Sequence, residues 1–257
     1  MPADTRHGTI LTLLRDAGHL DVDALAVRLG VSTQTVRADL RELAGRGLLA
    51  RTHGGARRVV TAANPAYQER RAANAAAKAA MGRLAASLIP DNCSVALNIG
   101  TTTEQVAEAL KGHAGLMVLS NNINIINSLI GTDARDLILV GGSVRQSDGA
   151  IVGEDAVEFI ARYKVDVAVI GASALDVDGA VCDFDAREVS VARAILANAR
   201  RRILVADHSK FSRTAPVRIC EIGDLDQFIT DTRPPQSFRT AAKAVDTEIL
   251  TLDGAHV

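Results

Sequence analysis

The 257-residue chain has no tryptophan, two tyrosines and five phenylalanines, so its core must be built from Ala, Val, Leu and Ile. Its three cysteines, Cys93, Cys182 and Cys220, lie far apart and form no CxxC pair. Neither a disulfide framework nor a thiolate metal site follows from that spacing. The six histidines are equally scattered, so no metal ligands are expected. No run of about 18 apolar residues is available to span a bilayer, and the opening MPADTRHG lacks the apolar core of a signal peptide. A cytoplasmic protein with no membrane partner is expected. G-x-x-x-x-G-K-[ST] and G-x-G-x-x-G are both missing, which argues against nucleoside-triphosphate and dinucleotide chemistry, and no cofactor is expected.

Apolar residues make up 47% of the chain, enough for a sizeable core. The net charge of −1 hides an asymmetry: residues 1–60 carry nine Lys and Arg against six Asp and Glu, the remainder 20 against 24. A basic end on an acidic body implies two parts with different partners.

The basic end reads as three helices. In TRHGTILTLLRDAGHL, Ile10, Leu11, Leu13 and Leu14 fall at helical spacing. DVDALAVRLG places Val22, Leu25, Ala26 and Leu29 on one face, and Gly30-Val31 breaks it. STQTVRADLRELAGRG starts at Ser32 as N-cap and buries Val36, Leu40 and Leu43. Its other face, with Thr33, Gln34, Arg37 and Arg41, is cationic and hydrogen-bonding, with nothing apolar of any size. That order is helix-turn-helix, and a third helix thin and polar outward fits a major groove. LLARTHGGARRVV reads as a hairpin with Gly54-Gly55 in its turn, a wing whose Arg51, His53, Arg57 and Arg58 suit phosphates. The candidate DNA-contacting residues are Ser32, Thr33, Gln34, Thr35, Arg37, Arg41, Arg51, His53 and Arg57.

VSTQTVRADLRELAGRGLLARTHGGA resembles the N-terminal signature of the DeoR family of bacterial transcription repressors. The family's usual Arg-Arg-Asp-Leu reads Arg37-Ala38-Asp39-Leu40 here, with one cation fewer.

TAANPAYQERRAANAAAKAAMGRLAASLIP begins polar and becomes an Ala-rich helix suited to close packing, onto the second domain or against another subunit. The expected division is a winged helix-turn-helix domain at 1–58, a linker and the start of a connecting helix at 59–75, and a sensor domain at 76–257.

From residue 91 onward, strands alternate with helices: CSVALNIG, GLMVLSNN, DLILVGG, VDVAVIGAS and RRILVAD, then QFITD and TEILTL. This pattern predicts βαβ units and a mostly parallel sheet, with ligands beyond the strands' C-terminal ends. Polar turns at those ends supply the candidate effector-binding residues. They are Asn98, Gly100, Thr101, Thr102 and Thr103; Asn121 and Asn122; Gly141 and Gly142 with Arg145; Ser173; Glu188; and Asp207 with Lys210. The Gly-Thr-Thr-Thr turn opens a helix, so its N–H groups and dipole favour an anion. Lys210 and Arg145 could neutralise a phosphate.

The DeoR resemblance extends over this part through NIGTTTEQVAEAL, SNNINIINSL, GGSVRQSDGAIVGEDAVEFI, DVDGAVCDFDAREV, VADHSKFSR and ITDTRPPQS. It implies a sensor domain related to ribose-5-phosphate isomerase, glucosamine-6-phosphate deaminase and coenzyme A transferases. NNINIIN and RQSDGAIVGE resemble the family branch that senses glycerol 3-phosphate, which implies that metabolite or a related sugar phosphate as effector. Asn98 stands where the family usually has Asp. The segment that carries two acids in the isomerases reads Ile170-Gly171-Ala172-Ser173, and DGAVCDFD has no lysine, so no catalytic residues are expected. The expectation is a repressor that binds double-stranded operator DNA as a homo-oligomer and leaves it when a hexose, pentose or glycerol phosphate binds. An active sugar-phosphate isomerase carrying a DNA-binding appendage is the alternative.

Overall fold

The structure is a computed structural model, and it describes residues 2–17, 19–45, 48–52, 54–57 and 66–254, with the side chains of 3, 4, 15 and 16 left out.

The N-terminal part contains α1 (Ala3–Ala17), β1 (His19–Asp21), α2 (Val22–Leu29), α3 (Thr33–Gly45), β2 (Ala50–Arg51) and β3 (Gly55–Arg57). Asp21 caps α2 by accepting from the N–H groups of Asp23 and Ala24, and Gly30 ends it in the left-handed region at φ 65°. Ile10, Leu14, Leu25, Val36, Leu40, Leu43, Leu49 and Ala56 form one apolar core. The predicted hairpin is present but is the smaller part of its sheet: β3 pairs antiparallel with both β2 and β1. A Cβ on Gly55 would lie 1.9 Å from the Leu20 carbonyl oxygen, so only glycine lets β3 approach β1.

The larger part opens with α4 (Tyr67–Ala72) and α5 (Ala75–Ser87). The expected single Ala-rich helix is thus broken at Ala73–Asn74, where Asn74 takes φ 54°. Asparagine tolerates that left-handed conformation better than most residues. Then come β4 (Ser94–Leu97), α6 (Thr101–Leu110), β5 (Met117–Ser120), α7 (Ile123–Leu129), β6 (Asp136–Leu139), and a small hairpin of β7 (Val144–Arg145) and β8 (Ala150–Ile151). They are followed by α8 (Glu154–Ile160), β9 (Val165–Ile170), β10 (Ala174–Leu175), β11 (Ala180–Asp183), α9 (Ala186–Ala197), β12 (Ala199–Val205), β13 (Val217–Glu221), β14 (Gln227–Thr230), α10 (Gln236–Ala244) and β15 (Glu248–Thr251).

Seven strands form one parallel sheet in the order β15-β14-β12-β9-β4-β5-β6. All seven were legible as apolar runs, because strands covered on both faces alternate little in hydrophobicity. Along the strands, Val95, Leu97, Val167 and Val169 join α5, α6 and α7 in one core layer. Their neighbours Ala96, Ala168 and Ile170 join α8, α9 and α10 in the other, where Phe211, Phe228 and Phe238 stack edge to face. The Ala-rich segment packs onto this body: a Cβ on Gly82 would meet the Gln105 carbonyl oxygen at 2.4 Å, so α5 lies backbone to backbone on α6. A three-stranded antiparallel sheet, β10-β11-β13, was not anticipated.

The strand order reverses between β4 and β9. From β4 the chain builds outward through β5 to β6, then returns to the other side of β4 and builds outward again from β9. The carboxyl ends of β4 and β9 therefore flank the crevice where open α/β sheets bind ligands.

Candidate functional site

On the winged helix, the turn and the N-cap set the pose of α3. Ser32 Oγ accepts from the Thr35 N–H at 3.2 Å, so Ser32 serves as the cap. Gln34, Arg37 and Arg41 are exposed and Thr33 and Thr35 half-exposed along one face. Among the described residues no carboxylate pairs with Arg37, Arg41, Arg51 or Arg57, so these cations are free for an external anion. His53 and Arg58 lie outside the described residues. Asp39, part of the Arg37-Ala38-Asp39-Leu40 motif but given no role by the sequence, lies on the inner face of α3. It accepts from Arg6 Nε and Nη2 at 2.5 and 2.7 Å and lies 3.0 Å from His7 Nε2. Arg6 holds the Asp39 carboxylate below its usual range against the effect of burial. The pair locks α3 to α1, so the reading helix presents one face.

In the sheet domain, one cavity opens at the reversal point. Gly100, Thr101 and Thr102 from the β4 end, Ser173 from the β9 end, Asn122, Glu188 and Lys210 all line it. Those seven predicted residues are thus brought together, with Tyr67, Arg70, Asp148 and Asp183 added by the structure. The other predicted residues stand elsewhere. Thr103 is fully buried and donates to the Gly100 carbonyl at 2.8 Å. Asn121 donates to the Ile151 carbonyl at 2.9 Å, bracing the β7–β8 hairpin. Asn98 is buried behind the loop with its side-chain oxygen unpartnered. Gly141 and Gly142 are exposed, because they follow β6 at the sheet edge, three strands from β9. Arg145 binds Asp148 at 2.6 Å, Glu188 at 2.5 Å and Asp185 at 3.4 Å, so its charge is already matched by carboxylates of the chain.

The cavity is electrically lopsided. At the α6 end, Lys78 donates to Thr101 Oγ1 at 3.1 Å and to the Arg70 carbonyl. Lys210 is buried, and burial together with Arg213, Lys78 and Arg70 pulls its pKa down to about 8, although Asp207 opposes this. Lys78 is lowered for the same reasons, burial first. Asp207 is held below its usual range by Lys210 and by N–H donors from Ser209 and Asn74, in spite of burial. Arg70 Nε and Arg213 Nη1 are buried donors without a partner. Mutually depressed cations and idle donors around a helix N-terminus form an anion seat. At the other end, Asp148, Asp183 and Glu188 supply acceptors, and burial and Asp183 raise Glu188 in spite of Arg145.

Behind the wall lies a polar hub that sequence reasoning missed. Glu104 is buried and accepts from Tyr67 Oη at 2.8 and 2.9 Å, and from Asn122 and Asn124 Nδ2 at 3.2 Å each.

Residues 6–62 match the DeoR-like helix-turn-helix domain family, and residues 73–232 match the DeoR C terminal sensor domain family. The chain belongs to the DeoR family. Relatives in this family include a glycerol-3-phosphate regulon repressor of Haemophilus influenzae, 41% identical over 91% of each chain. A protein of the same name from Escherichia coli K12 is 38% identical over 92% of this chain and 94% of its own. Among solved structures, ribose 5-phosphate isomerase A from Methanocaldococcus jannaschii aligns with 55% of this chain and 56% of its own, with a TM-score of 0.40 and 14% identity. As a DeoR-family transcriptional repressor, the chain belongs with regulators and not with sugar-phosphate enzymes. No described helix is long and apolar enough to cross a membrane.

Proposed function

We propose that this DeoR-family repressor acts in the cytoplasm, binds operator DNA through α3 and the wing, and is released by a phosphorylated polyol, glycerol 3-phosphate first among candidates. Support comes chiefly from the charge-split cavity at the β4/β9 reversal. The phosphate would take the first-turn N–H groups of α6, which have no intrahelical partner, together with Lys210. The hydroxyls would face Asp148, Asp183 and Glu188. The names of the relatives above favour the three-carbon ligand. One winged helix covers too few base pairs for tight specific binding, so a homo-oligomer on paired half-sites is proposed. Effector and operator would each weaken the other's binding by the same factor, typically corresponding to about 1–3 kcal/mol.

A thermal-shift panel on the full chain tests the reading, with glycerol 3-phosphate, glycerol, fructose 6-phosphate and ribose 5-phosphate. A ligand at about 100 times its dissociation constant should stabilise the sensor domain by about 2.7 kcal/mol, a shift of a few degrees. A shift with glycerol 3-phosphate but not glycerol is expected. A shift only with the longer sugar phosphates would move the repressor to a different carbohydrate operon, and no shift with any of them would remove the phosphorylated-effector reading.

A further inference from the structure

Helix α4 is held in an unusual way. None of its residues is fully buried, and its described side-chain bonds go to groups in or directly behind the cavity. Tyr67 donates to Glu104 and accepts from Asn124 at 3.1 Å. Arg70 Nη2 stands 3.8 Å from Asp148, an acid already committed to Arg145, and Arg70 Nε has no partner. The Arg70 carbonyl is bound by Lys78, which also holds Thr101. Tyr67 and Arg70 line the same cavity as Gly100, Thr101, Thr102 and Lys210. The helix ends at a left-handed joint, Asn74, whose amide is tied to Asp207 beside Lys210. In sequence, α4 is also the first described element after the wing.

A segment with no apolar anchor sits at the low end of local stability, so a small change in its polar partners can move it. Arg70 is such a point. It makes one long ion pair, keeps one buried donor unsatisfied and faces a seat built for an anion. We propose that Arg70 is a ligand for the effector's anionic group, and that α4 is the element through which an occupied pocket acts on the DNA-binding domain. An anion on the first turn of α6 and Lys210 offers Arg70 a nearer partner than Asp148. Arg70 turns to it, and α4 pivots about Ala73–Asn74, carrying the chain that leads to the winged helix. This inference rests on the phosphorylated-effector reading above.

The test uses the full chain, with glycerol 3-phosphate and inorganic phosphate as probes. Calorimetry on Arg70→Gln should show at least about a tenfold loss of affinity for either probe, with part of it restored in Arg70→Lys. Amide exchange over residues 66–74 of the unsubstituted protein should slow when glycerol 3-phosphate is bound. In Tyr67→Phe, which unties α4 from Glu104, saturating effector should change operator affinity by a smaller factor than in the parent. Equal probe affinity in Arg70→Gln, or exchange at 66–74 that ignores the effector, overturns the assignment while leaving the effector reading intact. Should Arg70→Gln fail to fold, Arg70→Lys and the exchange measurement decide the matter. If the unsubstituted protein binds neither probe, the effector reading falls first, without reference to any variant, and this assignment falls with it.

Discussion

Arg37, Arg41, Arg51 and Arg57 stand on the surface of the winged helix without a carboxylate partner among the described residues, whereas Lys78 and Lys210 lie buried around one small cavity. The exposed arginines keep their hydration and hold charge at little cost. They can act on a polyanion from a distance, with an affinity that salt erodes by restoring counterions. The buried lysines have given up water, and their lowered pKa values record that cost. Asp207 offsets part of that cost; an anion that fits the cavity and reaches the Lys210 ammonium would offset more, and such a contact is poorly screened. One chain thus holds a long-range, shape-tolerant use of positive charge and a short-range, selective one.

The largest effect that could break this contrast is that of salt. Raising ionic strength from about 50 to 200 mM should lower operator affinity about a thousandfold for a protein engaging six or more phosphates. Effector affinity over the same range should fall by less than about threefold, since buried pairs are screened little. Anisotropy and calorimetry on the same preparation would check both, and parallel slopes would abolish the distinction. Next in size, Lys210→Ala should weaken glycerol 3-phosphate about thirtyfold, the scale of a hydrogen bond to a charged group. A pH series sharpens this prediction. A bound anion favours the charged ammonium, so affinity should be highest between the second pKa of the phosphate, about 6, and about 8, and should decline as pH rises above about 8. The alkaline decline should disappear in Lys210→Ala. Arg37→Ala should cost operator binding about tenfold and leave effector affinity alone. Smallest of the four, Ser32→Ala should remove about 1 kcal/mol from the winged helix and nothing from the sheet domain, as read by two separate melting transitions.

What the sequence disclosed divides along the same line as the physics. Local signals were readable. Val36, Leu40 and Leu43 do face the core of the winged helix, and every strand of the parallel sheet announced itself as an apolar run. Long-range order was not. Polar turns at several strand ends all supplied candidates, yet only the sheet order decides which ends meet, and it leaves Gly141 and Gly142 at the far edge. Arg70 and Lys78 were hidden because they precede the first strand of the sheet, inside what reads as a plain Ala-rich helix. The role of Asp39 was hidden because its partners lie 32 and 33 residues away. Strand β1 escaped because three residues, His-Leu-Asp, carry no period, and its place follows only from Gly55 at the other end of the domain.

That close approach at Gly55 has a consequence in time. The wing is completed by pairing His19–Asp21 with Gly55–Arg57, and the Val22 N–H is bound by the Gly54 carbonyl at 2.9 Å. Every one of these bonds joins residues more than 30 positions apart, so the local β2–β3 hairpin gains its third strand only when both ends of the domain have come together. A chain emerging from the ribosome must release about the whole of its first 60 residues, plus the length still held in the exit tunnel, before Arg51 and Arg57 take up their positions. Until then the nascent repressor carries its positive charge without the complete three-stranded shape, and it gains that shape in one late step.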